Sequence, residues 1–266
     1  MRIYLITGLL LSSITVQAAP SCSFQEWDKY QDSQLLRQAV KGPYIFATSN
    51  VKVDADGAPN AYHPDDVGLH CTKGVGFKGL DCPANGGYPN QSWWRSAIVP
   101  DPKNNSKGYI QPDGRFKGYF VSQTSLKDKS KSNLDPAKYV DSTAVPYLVF
   151  PGQFYSKTGT GFVGDYGFAL NLDNGKSSSF IVAEVGPPKA HLGEMSIYLG
   201  STLGGSDPNP RTGAGTPKGK ILYVVFPYTK AASGWPIANE TIESTVSELL
   251  KSIGGVEMLK SCASAL

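Results

Sequence analysis

Several stretches of the chain have the apolar pattern of β-strands. Residues 168–172 alternate apolar with small or polar side chains, and a turn at residues 173–175 separates them from an apolar run at residues 180–183. A period of two followed by an Asp-Asn-Gly turn is typical of a β-hairpin. Shorter apolar runs rich in aromatic and β-branched residues predict further strands. They lie at residues 43–51, 119–121, 147–150 and 221–226.

Helical patterns are fewer and lie mostly near the ends of the chain. Apolar residues recur with a period near 3.6 between Ile242 and Ile253, acidic residues precede them, and Gly254-Gly255 follows. This pattern predicts an amphipathic helix with a glycine stop. Residues 33–40 predict a second, shorter helix, and residues 193–196 predict the start of a third.

The order of these elements favours a mainly β (α+β) fold. Helices do not alternate with strands, so the pattern does not indicate βαβ units. We expect residues 19–266 to form a single domain with a compact barrel-like or two-sheet β core and a few peripheral short helices, stabilised by disulfides.

The first residues indicate export. Residues 1–18 have a basic start, an apolar run and a small-residue cleavage site, which is the pattern of a signal peptide. We therefore expect a secreted or periplasmic protein. The formal net charge of +3, with 18% charged residues, gives no electrostatic reason to expect nucleic acid or a membrane as partner. We expect a monomer.

The four cysteines predict disulfides rather than a metal site. An even number in an exported chain is typical of a disulfide framework, for which three connectivities exist. We favour Cys71–Cys82, which closes a glycine-rich loop, and Cys22–Cys262, which joins the termini. The cysteine spacing and the three scattered histidines do not match a zinc site, so we expect no metal.

Two glutamates are the leading candidates for catalysis. Glu184 follows the predicted strand at residues 180–183, and Glu194 precedes the predicted helix, so both should face one loop. Glycoside hydrolysis needs a protonated carboxyl as general acid and an ionised carboxylate as base or nucleophile. Apolar neighbours can raise one pKa, whereas a helix start favours the ionised form of Glu194.

An acidic loop and two tryptophans are candidates for binding. Residues 54–66 hold four aspartates among turn residues, which indicates either a loop of Asx turns or an acidic wall that attracts a cationic sugar. Trp93 and Trp94 lie in a turn-rich region, where aromatic faces either stack on sugar rings or support the core. His63 and His191 match no nucleophile motif, so we do not expect a histidine-based mechanism.

The central stretch resembles glycoside hydrolase family 75, the fungal-type chitosanases and their bacterial relatives. The resemblance rests on G-D-Y-G at 164–167, I-V-A-E-V-G-P at 181–187 and L-G-E-M-S-I at 192–197, with weaker support at 54–64 and 147–152. It implies a cofactor-free, endo-acting, inverting hydrolase of the β-1,4 links of chitosan, with an Asp and a Glu as its catalytic pair. Glu194 matches the family's Glu, whereas Glu184 stands where the family has its Asp.

We therefore predict Glu184 as general acid and Glu194 as base, although the sequence does not fix the order of the two roles. Hydrolysis of peptidoglycan or partly acetylated chitin, and non-catalytic carbohydrate binding on the same scaffold, remain alternatives. The residues expected to contact the polysaccharide are Asp54, Asp56, Tyr62, His63, Asp66, Trp93, Trp94, Asp165 and Ser196.

Overall fold

The computed structural model describes residues 20–266. The predicted signal peptide lies outside this range. Eleven strands and four α-helices of the described part are used below. The strands are β1 (Gln25–Tyr30), β2 (Ser33–Arg37), β3 (Tyr44–Thr48), β4 (Lys52–Asp54), β5 (Pro100–Asp101), β6 (Asn104–Gly108), β7 (Tyr147–Pro151), β8 (Tyr166–Asn171), β9 (Ser177–Gly186), β10 (Glu194–Ser196) and β11 (Ile221–Phe226). The helices are α1 (Gly152–Tyr155), α2 (Ile197–Thr202), α3 (Asn239–Ser252) and α4 (Gly255–Cys262).

Nine of the strands form one mixed sheet in the order β1-β2-β3-β11-β8-β9-β7-β10-β4. Its β7–β9 and β10–β4 pairs are parallel. The remaining pairs are antiparallel. β5 and β6 make a separate two-stranded sheet.

Both faces of the large sheet are buried at its centre, as β11 shows. Its side chains alternate between two apolar clusters, and all six residues are buried. Leu222, Val224 and Phe226 belong to the cluster that includes residues of α3 and α4, which we call the α3 face. Ile221, Tyr223 and Val225 belong to the cluster that includes Phe154 of α1 and Leu199 of α2, which we call the α1 face. Burial on both faces explains why the strand has a continuous apolar sequence.

The mainly β class is confirmed, but the prediction of a barrel-like core is wrong. β1 and β4 are the two edges of the sheet and do not pair with each other, so the sheet stays open. Helices and loops, rather than closure of the sheet, bury its two faces. Continuous apolar strands are compatible with either arrangement, and the sequence pattern therefore did not separate them.

Two local predictions are also wrong. Residues 33–40 do not form a helix: β2 pairs with β1 and β3, and its neighbouring Leu35 and Leu36 enter opposite faces of the sheet. Residues 119–121 do not form a strand of either sheet, because Phe120 makes only an isolated bridge to Ile110.

Other predictions are confirmed. The hairpin of β8 and β9, the strands β3, β7 and β11, and the helix α3 lie where the sequence places them. Both disulfides form as predicted, Cys22 with Cys262 and Cys71 with Cys82. Two disulfides are typical of an oxidising, extracellular environment. Within residues 20–266, every helix is too short or too polar to cross a bilayer.

Candidate active site

A bulge in β9 decides where Glu184 points. Leu148 of β7 pairs with Val182, but the next pair is Val149 with Glu184, so Ala183 is an extra residue in β9. Such a bulge reverses the alternation of side chains beyond it. Glu184 therefore shares the α3 face with Val149 instead of following Val182 into the α1 face.

The short strands β4 and β10 bring Asp54 and Glu194 to the same face. In this parallel pair, Glu194 lies opposite Lys52 and Ser196 lies opposite Asp54. Met195 and Val53, the residues between them, belong to the α1 face. Asp54 and Glu194 consequently point towards the α3 face, as Glu184 does on β9. Glu194 thus lies in a strand, and the helix α2 begins only at Ile197.

A cavity of about 480 Å³ opens at this end of the sheet. Loop residues between 56 and 97 and at 210–213 form part of its wall, and six of the predicted site residues line it: Asp54, Asp56, Tyr62, Trp93, Glu184 and Glu194. Asp81 is a fifth carboxylate in its wall, and Lys52 and Arg211 are its cations. The walls therefore hold more acidic than basic groups.

Glu184 is almost fully buried, with 4% of its surface exposed, and is held by three donors. The Ser125 N–H donates to Oε2 at 2.6 Å. The Ser125 hydroxyl and the Val185 N–H each donate to Oε1 at 2.9 Å. Burial, together with the nearby charge of Asp54, raises the pKa of Glu184 to about 8, and the three hydrogen bonds oppose this rise.

Glu194 is the less constrained of the two glutamates. It is partly exposed to the cavity, and within residues 20–266 no hydrogen bond or ion pair engages its carboxylate. Its Oε2 lies beside Gly186, where a Cβ would approach it to 3.4 Å. Burial and the charges of Asp54 and Asp81 raise its pKa to about 7, against the opposing effect of Lys52. A carboxylate with free lone pairs in a cavity is suited to hold a water molecule.

Asp54 and Asp56 are each held by a buried tyrosine. Tyr147 Oη lies 3.1 Å from Asp54 Oδ2, and the Asp56 N–H donates to Asp54 Oδ1 at 2.9 Å. The Tyr62 hydroxyl donates to Asp56 Oδ1 at 2.8 Å. Burial raises the pKa of Asp54 to about 6 and the pKa of Asp56 well above its usual range. The acidic loop therefore supplies an acidic wall and, through the Asp56 N–H bond, an Asx turn as well.

Asp81 is a cavity residue that the sequence analysis missed. It is buried, and burial raises its pKa to about 7. The Cys82 N–H and the Asn85 amide donate to its Oδ1 at 2.7 and 2.8 Å. The sequence did offer one signal: Asp81 lies directly before Cys82, and the disulfide of Cys82 fixes this otherwise irregular loop.

Arg211 lines the cavity and ties the loop at residues 204–220 to the loop that the Cys71–Cys82 disulfide closes. Its guanidinium lies 4.1 Å from the centre of the Phe77 ring and donates to the carbonyls of Cys71 and Lys73. Arg211 is a second cavity residue that the sequence analysis missed. The long-range contacts to the disulfide loop were not visible in the sequence.

The two tryptophans have different environments. Trp93 is 39% exposed and lines the cavity, so its ring face is available to a ligand. Trp94 is 2% exposed, packs edge-on against Tyr88 and supports an apolar cluster beneath the loops. Stacking on a sugar ring thus remains a prediction for Trp93, whereas Trp94 has the supporting position.

Four further predicted residues lie outside the cavity lining, and each has protein partners. His63 is packed edge-on against Tyr119, and Asp66 accepts the N–H groups of Lys78 and Gly79. Asp165 is fully buried and accepts four backbone N–H groups, from residues 162, 228, 229 and 230. Ser196 caps the start of α2 by accepting the Leu199 N–H. His191 pairs with Asp32.

The arrangement combines carboxyls of raised pKa with one carboxylate that is open to the cavity. In residues 20–266, no three His, Cys, Asp or Glu side chains converge as metal ligands do. A scan against models of protein families and a search of curated proteins both gave no match for this chain. Its function is therefore argued from the site itself.

Proposed function

We propose that the protein is an exported, endo-acting glycoside hydrolase that cleaves the β-1,4 links of chitosan with inversion, as the resemblance to family 75 implies. The observation that supports this most is the open carboxylate of Glu194 beside buried carboxyls of raised pKa. Acid–base cleavage of a glycosidic bond requires one carboxyl that carries a proton and a second whose oxygens are free to take a proton from water.

Glu194 is suited to the role of base. Its free oxygens can accept a proton from water, and the cavity leaves room for the water and a sugar ring. The general acid must be a carboxyl that keeps its proton near neutral pH. Glu184, the predicted acid, has a pKa of about 8 and meets this condition at neutral pH, whereas Asp54, with a pKa of about 6, meets it in mildly acidic solution.

The charge of the cavity favours an amino sugar as substrate. Asp54, Asp56, Asp81, Glu184 and Glu194 outnumber the two cations in its walls. Each deacetylated unit of chitosan carries an ammonium group, which the ionised members of this set would attract and which would favour ionisation of the others. Trp93 offers an exposed ring face on which a pyranose can stack.

The substrate class is tested with the mature protein on chitosan, chitin and purified peptidoglycan, with release of reducing ends as the readout. We expect release from chitosan and an inverted anomer as the first product detected by NMR. Faster release from chitin or peptidoglycan would contradict chitosan as the substrate. Tight binding of a glycan without any release would contradict the enzyme and favour a binding protein.

A further inference from the structure

The Tyr147 hydroxyl has two oxygen neighbours but only one proton. Its Oη lies 2.9 Å from the Asp56 carbonyl oxygen and 3.1 Å from Asp54 Oδ2. The carbonyl can only accept, and in residues 20–266 Tyr147 is the donor that reaches it. If the phenol gives its one proton to the carbonyl, Asp54 completes a direct two-atom hydrogen bond to Oη by carrying a proton and donating it. Burial keeps Tyr147 itself protonated by raising its pKa.

The position of Asp54 relative to Glu194 is fixed by neighbouring strands. β4 and β10 are adjacent and parallel, and the two side chains share one face. The Asp54 carbonyl accepts from the Ser142 hydroxyl, whose oxygen in turn accepts the Ile197 N–H at the start of α2. Asp54 is also the charge that raises the pKa of both Glu184 and Glu194 most, after the effect of burial.

Glu184 is poorly arranged to give a proton to a substrate. Two of its three donors are backbone N–H groups, which cannot accept, and they engage both carboxylate oxygens. Only the Ser125 hydroxyl can reverse its role and accept. A proton on Glu184 is therefore directed towards Ser125. The segment of Ser125 and Leu126 is anchored to β9 by a second contact, in which the Leu126 N–H donates to the Ala183 carbonyl at 2.8 Å.

We propose that Asp54, held by Tyr147, is the general acid of this site, and that Glu184 is a positioning residue that fixes the Ser125 segment on β9. This inference rests on the proposed function and names the partner of Glu194. It departs from the sequence-based assignment of Glu184 as the acid.

The reaction balances with water as the only co-reactant. The O–H bond of Asp54 breaks as its proton passes to the glycosidic oxygen, and the C1–O bond breaks with its electron pair moving to that oxygen. The oxygen of a water molecule bonds to C1, and the proton of that water passes to Glu194. Exchange with solvent then removes the proton from Glu194 and returns one to Asp54.

The test compares Asp54→Asn and Glu184→Gln on two substrates. One is chitosan, and the other is a glucosamine oligosaccharide with a dinitrophenyl leaving group, which departs without being protonated. For Asp54→Asn we expect the rate on chitosan to fall by about 10²- to 10⁴-fold and the rate on the aryl substrate to fall far less. Glu184→Gln should slow both substrates by a similar factor, because it disturbs position rather than proton supply.

The reverse pattern, with leaving-group dependence in Glu184→Gln and not in Asp54→Asn, would overturn the proposal. Asparagine can donate to Tyr147 as the protonated acid does, so the thermal midpoint of Asp54→Asn should stay near that of wild type. If this variant unfolds, Tyr147→Phe replaces it, and the same selective loss on chitosan is expected. Equal loss on both substrates in Tyr147→Phe would overturn the proposal.

Wild-type activity separates this inference from the proposed function. A wild-type protein that cleaves neither substrate overturns both. A wild-type protein that cleaves chitosan, with an Asp54→Asn variant that cleaves it equally fast, overturns only the role of Asp54.

Discussion

At the scale of single residues, Glu184 and Glu194 show how environment separates two identical side chains. Glu184 is enclosed and accepts three hydrogen bonds, whereas Glu194 faces the cavity without such a partner in the described part of the chain. Burial raises both pKa values, but only Glu194 keeps its lone pairs free for water. Position, rather than residue type, therefore supports Glu194 as the group at the reacting centre.

Gly186 provides a test of whether the carboxylate of Glu194 must stay open to water. A Cβ at this position would lie 3.0 Å from Val149 Cγ1 and 3.4 Å from Glu194 Oε2. The contact with Oε2 is an ordinary van der Waals contact, whereas the Val149 side chain must give way slightly. We expect Gly186→Ala to place a methyl group against the carboxylate, where it hinders the water, and to lower kcat on chitosan by roughly 10-fold, less than the roughly 10²-fold that loss of a general base costs. The measurement is steady-state kinetics together with a thermal melt.

Gly74→Ala is the matched control, because a Cβ there would meet no atom within 4 Å. It should leave kcat and the thermal midpoint unchanged. A Gly186→Ala protein with wild-type kcat would contradict the placement of Glu194 at the reacting centre.

At the scale of elements, the sequence predicted the strands that are apolar throughout and the amphipathic helix α3. It failed for β2, where Leu35 and Leu36 are adjacent because the strand is buried on both faces. Adjacent leucines flanked by polar residues fit a helix equally well. The pairing with β1 and β3 decides the outcome, and that pairing is a long-range property.

The candidate site was predictable only in part, for similar reasons. The two glutamates and the acidic loop were visible as residues near predicted strands. The bulge at Ala183 was not visible, because an extra residue in one strand of a parallel pair does not change the apolar pattern of that strand. The sequence predicts Tyr147 only as a strand residue, because its contacts to Asp54 and Asp56 span about 90 positions of the chain.

At the scale of the whole molecule, the cavity links function to stability. Several of its carboxyls have pKa values raised above those of the unfolded chain, among them Asp54 at about 6, Asp81 at about 7 and Glu184 at about 8. The folded state thus binds more protons than the unfolded state between about pH 4 and pH 8. Their stabilising contribution is present below pH 4 and is lost as the pH rises through this window.

We therefore expect the thermal midpoint to fall by several degrees between pH 5 and pH 8, at about 2–4 °C for each kcal/mol lost in a protein of this size. Thermal melts across this range measure the effect. Glu184→Gln, which cannot ionise, should have a smaller slope than wild type. A midpoint that rises over the same range would contradict the raised pKa values of these carboxyls.

The central claim is that Glu194 acts on a glycosidic bond, and the most direct measurement is the release of reducing ends from chitosan by wild type and Glu194→Gln side by side. Loss of the base predicts a rate at least about 10²-fold lower in the variant, with an unchanged thermal midpoint. A folded Glu194→Gln protein that cleaves chitosan at the wild-type rate would contradict the claim.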